Sequence, residues 1–186
     1  MSHFDQLTLL PPDAIFYLTD SYKQDTSKVK INLGVGAYRD DNGKPYVLKV
    51  VRKAEQMILS NDEDHEYLPI TGLPLFRKVA MELVLGECTE TSTAVQCISG
   101  TGALRVGAEF LNNMYPTTTV YISNPTWVNH RQIFESANCT VDEYRYFDSN
   151  TIGLAFDNYK ADVEAAPNKS IFVVHACAHN PSFIFI

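Results

Sequence analysis

Cysteine is scarce and scattered in this 186-residue chain: Cys88, Cys97, Cys139 and Cys177 stand far apart, with no Cys-x-x-Cys pair. That spacing builds neither a zinc site nor a disulfide scaffold, and the four read as reduced core thiols. Long apolar runs are missing too. No stretch approaches the roughly 20 apolar residues that cross a bilayer, so no membrane partner is expected. Positive charge is in deficit, with 15 Lys and Arg against 22 Asp and Glu and a net charge of −7. That balance works against a phosphate-backbone surface, and no nucleic acid partner is expected. The start, Met1-Ser-His-Phe-Asp5, has no basic stretch ahead of an apolar one and is not Arg-rich, which predicts a cytoplasmic location. Without secretion, the Asn-x-Ser/Thr matches at Asn138 and Asn168 are chance.

What remains is core material. Hydrophobic residues make up 45% of the chain, aromatic residues 11% and charged residues 20%, the composition of a globular protein of about one domain. The first 45 or so residues read as irregular. Pro11-Pro12-Asp13 opens a short helix, and Val29 to Leu33 reads as a short strand running into Gly34-Val35-Gly36. Val47 to Leu59 and Leu75 to Leu85 carry apolar residues at helical spacing, the second ending at Gly86, and the loop between them holds Tyr67. From Ala94 short apolar runs alternate with helical stretches, the pattern of βα units on a parallel sheet. The strands are expected at Ala94–Ile98, Thr119–Ser123, Cys139–Tyr144 and Ser170–His175. Helices are expected near Ala103–Met114, Trp127–Ala137 and Asp157–Ala166, the first and last stopped before Pro116 and Pro167. The fold class is therefore α/β.

Three turns carry chemistry. Ser99-Gly100-Thr101-Gly102 leaves an expected strand and opens a helix, so backbone N–H groups and hydroxyls converge where a phosphate would sit. Alone, such a turn is more often merely tight. The next strand ends in Asn124-Pro125-Thr126-Trp127, which puts the only tryptophan at a strand C-terminus, where open α/β sheets bind ligands. An aromatic plate beside a phosphate cradle suits a flat phosphorylated cofactor; the plain alternative is a core tryptophan anchoring its helix. The fourth strand ends in His175-Ala-Cys-Ala-His179-Asn180-Pro181. Two histidines at i and i+4 suggest a metal, but the segment leaves a strand rather than a helix, so the pair is expected not to share a face, and no acidic residue stands nearby. No metal is expected. Asn180 is placed to hydrogen-bond a ring substituent of a ligand on the cradle. A nucleotide-binding turn would want an acidic residue about 20 positions on; Tyr121 and Ser123 stand there instead.

Asn32-Leu-Gly-Val-Gly-Ala-Tyr-Arg-Asp40, His65-Glu-Tyr-Leu-Pro69, Ser99 to Phe110, Asn124-Pro-Thr-Trp-Val-Asn-His130 and His175-Ala-Cys-Ala-His-Asn-Pro181 resemble, in order, the aspartate aminotransferases of the class I pyridoxal-phosphate family. The resemblance covers residues 1 to 181. It implies the fold-type I architecture, with residues 1–45 as N-terminal arm and small-domain segment and 46–186 as an incomplete large, cofactor-binding domain. It also implies pyridoxal 5'-phosphate as cofactor, aspartate, glutamate and 2-oxo acids as substrates, and a homodimer. By the same resemblance Ser99, Gly100 and Thr101 bind the cofactor phosphate, Trp127 stacks on the ring and meets substrate, and Asn180 serves both the ring oxygen and the substrate. Tyr67 reaches the phosphate of the neighbouring subunit, Gly36 lies by the substrate carboxylate, and His130 sits behind the pyridine ring. The peptide bonds before Pro125 and Pro181 are expected to be cis.

The resemblance also marks departures. Family members run to more than twice this length. The Schiff-base lysine, the aspartate that pairs with the pyridine nitrogen and the arginines that grip substrate carboxylates match nothing in these 186 residues. After Asn180-Pro181 the family continues Thr-Gly, whereas here the chain reads Ser182-Phe-Ile-Phe-Ile186. A truncated chain, inactive by itself, is expected. The alternative is a non-catalytic isoform or fragment that associates with full-length subunits or misfolds.

Overall fold

The computed structural model describes residues 4–8, 14–34, 36–86 and 91–184. The helix opening expected at Pro11-Pro12-Asp13 lies outside them, as do Cys88, Phe185 and Ile186. Two compact units are present, Met1–Glu66 and Tyr67–Ile186.

The first unit holds α1 (Ala14–Gln24) and α2 (Lys49–Ser60). Between them a tight hairpin brings Arg39 against Pro45, with the Asp40 carboxylate accepting from the N–H groups of Asn42 and Lys44 at 2.9 Å each. The short strand expected at Val29–Leu33 does not form. Extended backbone needs a neighbour to satisfy its hydrogen bonds, and this segment has none among the described residues of its unit. It is pinned instead through the Lys30 ammonium, which donates to the Tyr22 and Asp25 carbonyls and lies over the Tyr22 ring. The helix expected over Val47–Leu59 forms as α2, and its apolar positions Val50, Met57 and Ile58 stay exposed.

The second unit runs α3 (Pro74–Leu85), α4 (Ser99–Met114), β1 (Thr119–Asn124), α5 (Asn129–Ser136), β2 (Thr140–Arg145), β3 (Phe147–Asp148), β4 (Gly153–Leu154), α6 (Phe156–Ala165) and β5 (Ile171–Phe172). Proline at the first position of α3 suits a helix start, where its missing N–H has no partner to lose. β1, β2 and β5 form a parallel sheet in the order β2-β1-β5, with Thr119 opposite Thr140 and Val120 opposite Ile171. β3 and β4 pair as a small antiparallel hairpin. The core lies between the sheet and its helices. Ala108 of α4, Val120 of β1, and Phe134 and Ala137 around the end of α5 are buried, with Leu104, Cys139, Val141, Ile171 and Val173 packed on them.

The expected strand Ala94–Ile98 is an extended segment without a ladder among the described residues. Its hydrogen bonds go elsewhere. Gln96 N–H donates to Thr71 O at 3.1 Å, Leu73 N–H to the Gln96 side-chain oxygen at 2.8 Å, and Arg77 to Ala94 O at 3.1 Å. This clasp requires Gly72, which sits at φ +88° and whose absent Cβ would fall 2.1 Å from Gln96 Cβ. The core-thiol reading fails at Cys177, which is exposed because it lies in the open loop after β5.

Candidate functional site

Parallel strands deliver their C-terminal loops to one edge of the sheet. β1 and its neighbour β5 therefore bring together residues 124–130 and 173–184, far apart in sequence. α4 is joined to the start of β1 by four residues, so the helix runs back along the sheet and its N-terminus points to this same edge. Two cavities mark the convergence. One of about 290 Å³ is lined by Thr101 and Arg105 of α4 with Asn129 and Gln132 of α5. An apolar groove of about 550 Å³ runs from Gly100, Ala103 and Gly107 of α4 to Phe172 and Val174 at the end of β5.

The α4 end exposes the N–H groups of its first turn. Gly102 N–H is the first to bond back, to Ile98 O at 3.1 Å. The N–H groups of Ser99, Gly100 and Thr101 thus precede the helix's own ladder, and all three residues are exposed. Ser99 sits at φ +54°, a left-handed conformation that costs a non-glycine residue about 1–2 kcal/mol. Strain of that size persists where the surroundings impose it, and it gathers at ligand sites.

Behind the edge stands a column of rings that the sequence spacing did not announce. Tyr146 stacks on His179 with centroids 3.9 Å apart, and His179 stacks on His175 at 4.3 Å. His175 meets the edge of His130 at 5.1 Å, and His130 meets Trp127 at 5.3 Å. The expectation that His175 and His179 do not share a face is overturned: the backbone turns at Ala178, φ +47°, and folds the second ring onto the first. No group of three or more His, Cys, Asp or Glu among the described residues is arranged for a metal ion; the ring nitrogens bind hydroxyls and backbone instead. Ser123, Thr126, Tyr146 and Ser182 were missed as members of the site. Ser123 and Thr126 flank the turn after β1, and that position was the one available signal.

The hydrogen bonds set tautomers. Asn180 N–H donates to His175 Nδ1 at 3.0 Å, so that nitrogen is bare and the ring proton lies on Nε2. Nε2 faces Thr126 Oγ1 at 3.4 Å. The Thr126 hydroxyl then gives its single proton to His130 Nδ1, 2.8 Å away, which leaves the His130 proton on Nε2. His179 Nε2 lies 2.9 Å from Ser123 Oγ and its Nδ1 lies 2.8 Å from Ser182 Oγ. All three rings are held neutral. Burial lowers the pKa of His130, with His175 adding to it; burial lowers His175; and His179 is pushed down to about 4 by burial first and by the other two imidazoles second. Tyr144 donates to Val173 O at 2.9 Å, and burial raises its phenol to about 12. The column is a stack of uncharged rings with fixed donors.

The family model described as aminotransferase class I and II matches residues 28–182. The chain belongs to that family. Within the aminotransferases it is 49% identical over 176 residues to the mitochondrial aspartate aminotransferase of Schizosaccharomyces pombe, covering 92% of this chain and 40% of that protein. The structure of aspartate aminotransferase from Saccharomyces cerevisiae cytoplasm matches with a TM-score of 0.87 at 42% identity, over 98% of this chain and 46% of that one. An aromatic-amino-acid aminotransferase from Burkholderia pseudomallei, solved covalently bound to pyridoxal phosphate, matches with a TM-score of 0.90 at 38% identity, over 97% and 47%. The α/β fold is therefore that of the aminotransferases. The chain spans less than half the length of the curated relatives it matches.

Of the residues singled out from the sequence, the sheet edge gathers Trp127, His130 and Asn180, and α4 brings Ser99, Gly100 and Thr101 to the same end. The peptide bonds before Pro125 and Pro181 are cis, as the resemblance to the aminotransferases implied. Tyr67 stands at the start of the second unit and is 96% exposed. Gly36 belongs to the first unit, where a Cβ would meet nothing within 4 Å.

Proposed function

We propose that this chain carries the cofactor-binding part of an aspartate aminotransferase, which moves the amino group of L-aspartate to 2-oxoglutarate to give oxaloacetate and L-glutamate. The observation that carries the reading is the meeting, at one sheet edge, of an open helix N-terminus with a column of neutral rings ending in Trp127. That arrangement fits pyridoxal 5'-phosphate: an anion at the α4 first turn, a flat ring beside the indole, and no fixed charge among the imidazoles.

In this reading Ser99, Gly100 and Thr101 hold the phosphate by N–H and hydroxyl donation, a charge-assisted contact. Trp127 lies on the ring, His130 backs it, and Asn180 donates to its oxygen substituent and to substrate. Gly36 is assigned to the substrate carboxylate by the resemblance to the aminotransferases alone. The cofactor, when bound, supplies an electron-withdrawing ring that stabilises negative charge at the substrate α-carbon. This chain's residues bind and orient; they do not move the proton. Transamination needs an amine at the reacting carbon. Lys78 and Lys160 pair along their own helices with Glu82 and Glu164, and no lysine belongs to the ring column. The 186 residues alone are therefore expected not to turn over.

A homodimer belongs to the same proposal, with Tyr67 reaching the partner's phosphate. The exposed apolar residues Val50, Met57 and Ile58 of α2 and Leu83 and Val84 of α3 support it, because a subunit interface covers such faces. They equally support the second reading, a non-catalytic chain that associates with full-length subunits. A cytoplasmic location is also proposed; the similarity extends to both a cytoplasmic and a mitochondrial relative. Among the described residues no helix is long and apolar enough to cross a membrane.

The test is a titration of the full chain with pyridoxal phosphate, read by the fluorescence of Trp127. Saturable quenching that weakens roughly tenfold in Thr101→Val, the loss of one hydrogen bond to a charged group, is the expected result, with no transaminase activity. Quenching that never saturates sinks the reading.

A further inference from the structure

Asn180 is exposed on the loop after β5, and a loop side chain can aim at a ligand only if something rigid holds its backbone. We propose that His179 is that holder: a positioning residue that fixes Asn180 by anchoring its neighbour to the sheet. The proposal rests on the reading of Asn180 as a cofactor contact.

The anchoring is fourfold. The His179 ring is 1% exposed. It is clamped between Tyr146 at 3.9 Å and His175 at 4.3 Å, so neither face is open. Its Nε2 meets Ser123 Oγ at 2.9 Å, which ties it to the end of the central strand β1, and its Nδ1 meets Ser182 Oγ at 2.8 Å, which ties it to the loop's return. Its carbonyl accepts Phe183 N–H at 2.7 Å and closes a turn around Asn180 and Pro181. The N–H of Asn180 itself is bound to His175, the ring on which His179 stacks. Asn180 is thereby held from both sides by one stacked pair.

The backbone shows that this grip is needed. Ala178 and Phe183, on either side of the turn, take φ values of +47° and +59°, conformations that L side chains leave unless the surroundings impose them. Any buried histidine needs its nitrogens bonded, but burial alone requires no left-handed residues on either side of it. The two ring nitrogens are also unequal in consequence: Ser123 belongs to the sheet, whereas Ser182 moves with the loop. The Nε2 bond is therefore the one that transmits position.

The experiment uses the full chain with pyridoxal phosphate as probe, and compares His179→Phe, His179→Gln, Ser123→Ala, Asn180→Ala and the double variant His179→Phe with Asn180→Ala. Phenylalanine keeps the stacking and loses both bonds; glutamine restores a polar group near the Nε2 position. Two readouts are taken. The first is hydrogen exchange of the Asn180 amide without cofactor, expected to speed up roughly tenfold in His179→Phe, about 1.4 kcal/mol of lost protection, and to return most of the way in His179→Gln. The second is cofactor affinity by Trp127 quenching. His179→Phe should weaken it as much as Asn180→Ala does, and should cost nothing further in the double variant, because one residue acts through the other. Effects that add, or an unchanged Asn180 exchange rate in His179→Phe, overturn the proposal. If His179→Phe does not fold, Ser123→Ala gives the same two readings in smaller measure. If the unmodified chain binds no cofactor, the reading of the site falls, and the exchange readout alone still decides whether His179 holds Asn180.

Discussion

Tyr146 and His179 lie face to face, 3.9 Å between centroids and 14° between planes, and the imidazole in that stack is neutral. Its pKa of about 4 lies below the ordinary 6.5 because burial penalises the charged ring and two further imidazoles face it. A histidine whose folded pKa is depressed contributes stability that is complete above its unfolded pKa. That contribution is lost as pH falls from about 6.5 towards about 4, where the unfolded chain binds the proton first. His130 and His175 are shifted in the same direction and add to it. Unfolding free energy measured by denaturant should fall by about 3 kcal/mol between pH 7 and pH 4 through His179 alone. His179→Gln should flatten that part of the profile, and an unchanged profile would show that the ring is not held neutral.

Ala178→Gly should stabilise the chain by about 1 kcal/mol. Glycine takes the left-handed φ of +47° without the steric cost alanine bears, although the unfolded state gains entropy in return. Thermal denaturation checks the sign, and a loss of stability would contradict the strain.

The opposite holds at Gly72. Gly72→Ala adds a Cβ 2.1 Å from Gln96 Cβ at a φ of +88°, and the clasp that places the segment before α4 must open. The expected cost is about 2–4 kcal/mol, the sum of a left-handed alanine and an overpacked contact. A second change, Gln96→Gly, removes the opposing Cβ and should recover part of it; no recovery would place the strain elsewhere.

Phe134 is 3% exposed and packs with Ala108, Val120 and Ala137. Phe134→Ala should cost about 3–5 kcal/mol as transfer energy and cavity combine. A cost under 1 kcal/mol in equilibrium unfolding would mean that the sheet and α5 do not share one core.

The helices were legible because α3, α4 and α6 carry their own signals: apolar spacing, and stops at Gly86, Pro116 and Pro167. β1 was legible as a largely apolar run with a partner on each side; β2, with Asp142 and Glu143 at its middle, is held by pairing to β1 along its whole length. Ala94–Ile98 and Val29–Leu33 have the composition of strands but no neighbour among the described residues, and a strand exists only as half of a pair. Ser99, Thr101, Trp127 and Asn180 could be read from βα-turn logic. His179 and its partners could not, since Ser123 lies 56 positions away and Tyr146 lies 33 away, and only the β2-β1-β5 pairing brings them together. The expectation that His175 and His179 do not share a face failed because the left-handed turn at Ala178 makes a loop do what a helix would have done.

β5 joins β1 through two paired residues, Val120 with Ile171 and Tyr121 with Phe172, and one further bond from Val173 N–H to Tyr121 O. So short a ladder holds little by itself, and residues 173–184 depend on the ring column to stay seated. Peeling of β5 and loss of the stacked imidazoles are then a single cooperative event with one opening free energy. Whatever occupies the mouth of the column and touches Asn180 becomes a brace for the sheet edge more than 50 residues away in sequence, so that ligand retention and edge fraying are two readings of the same equilibrium.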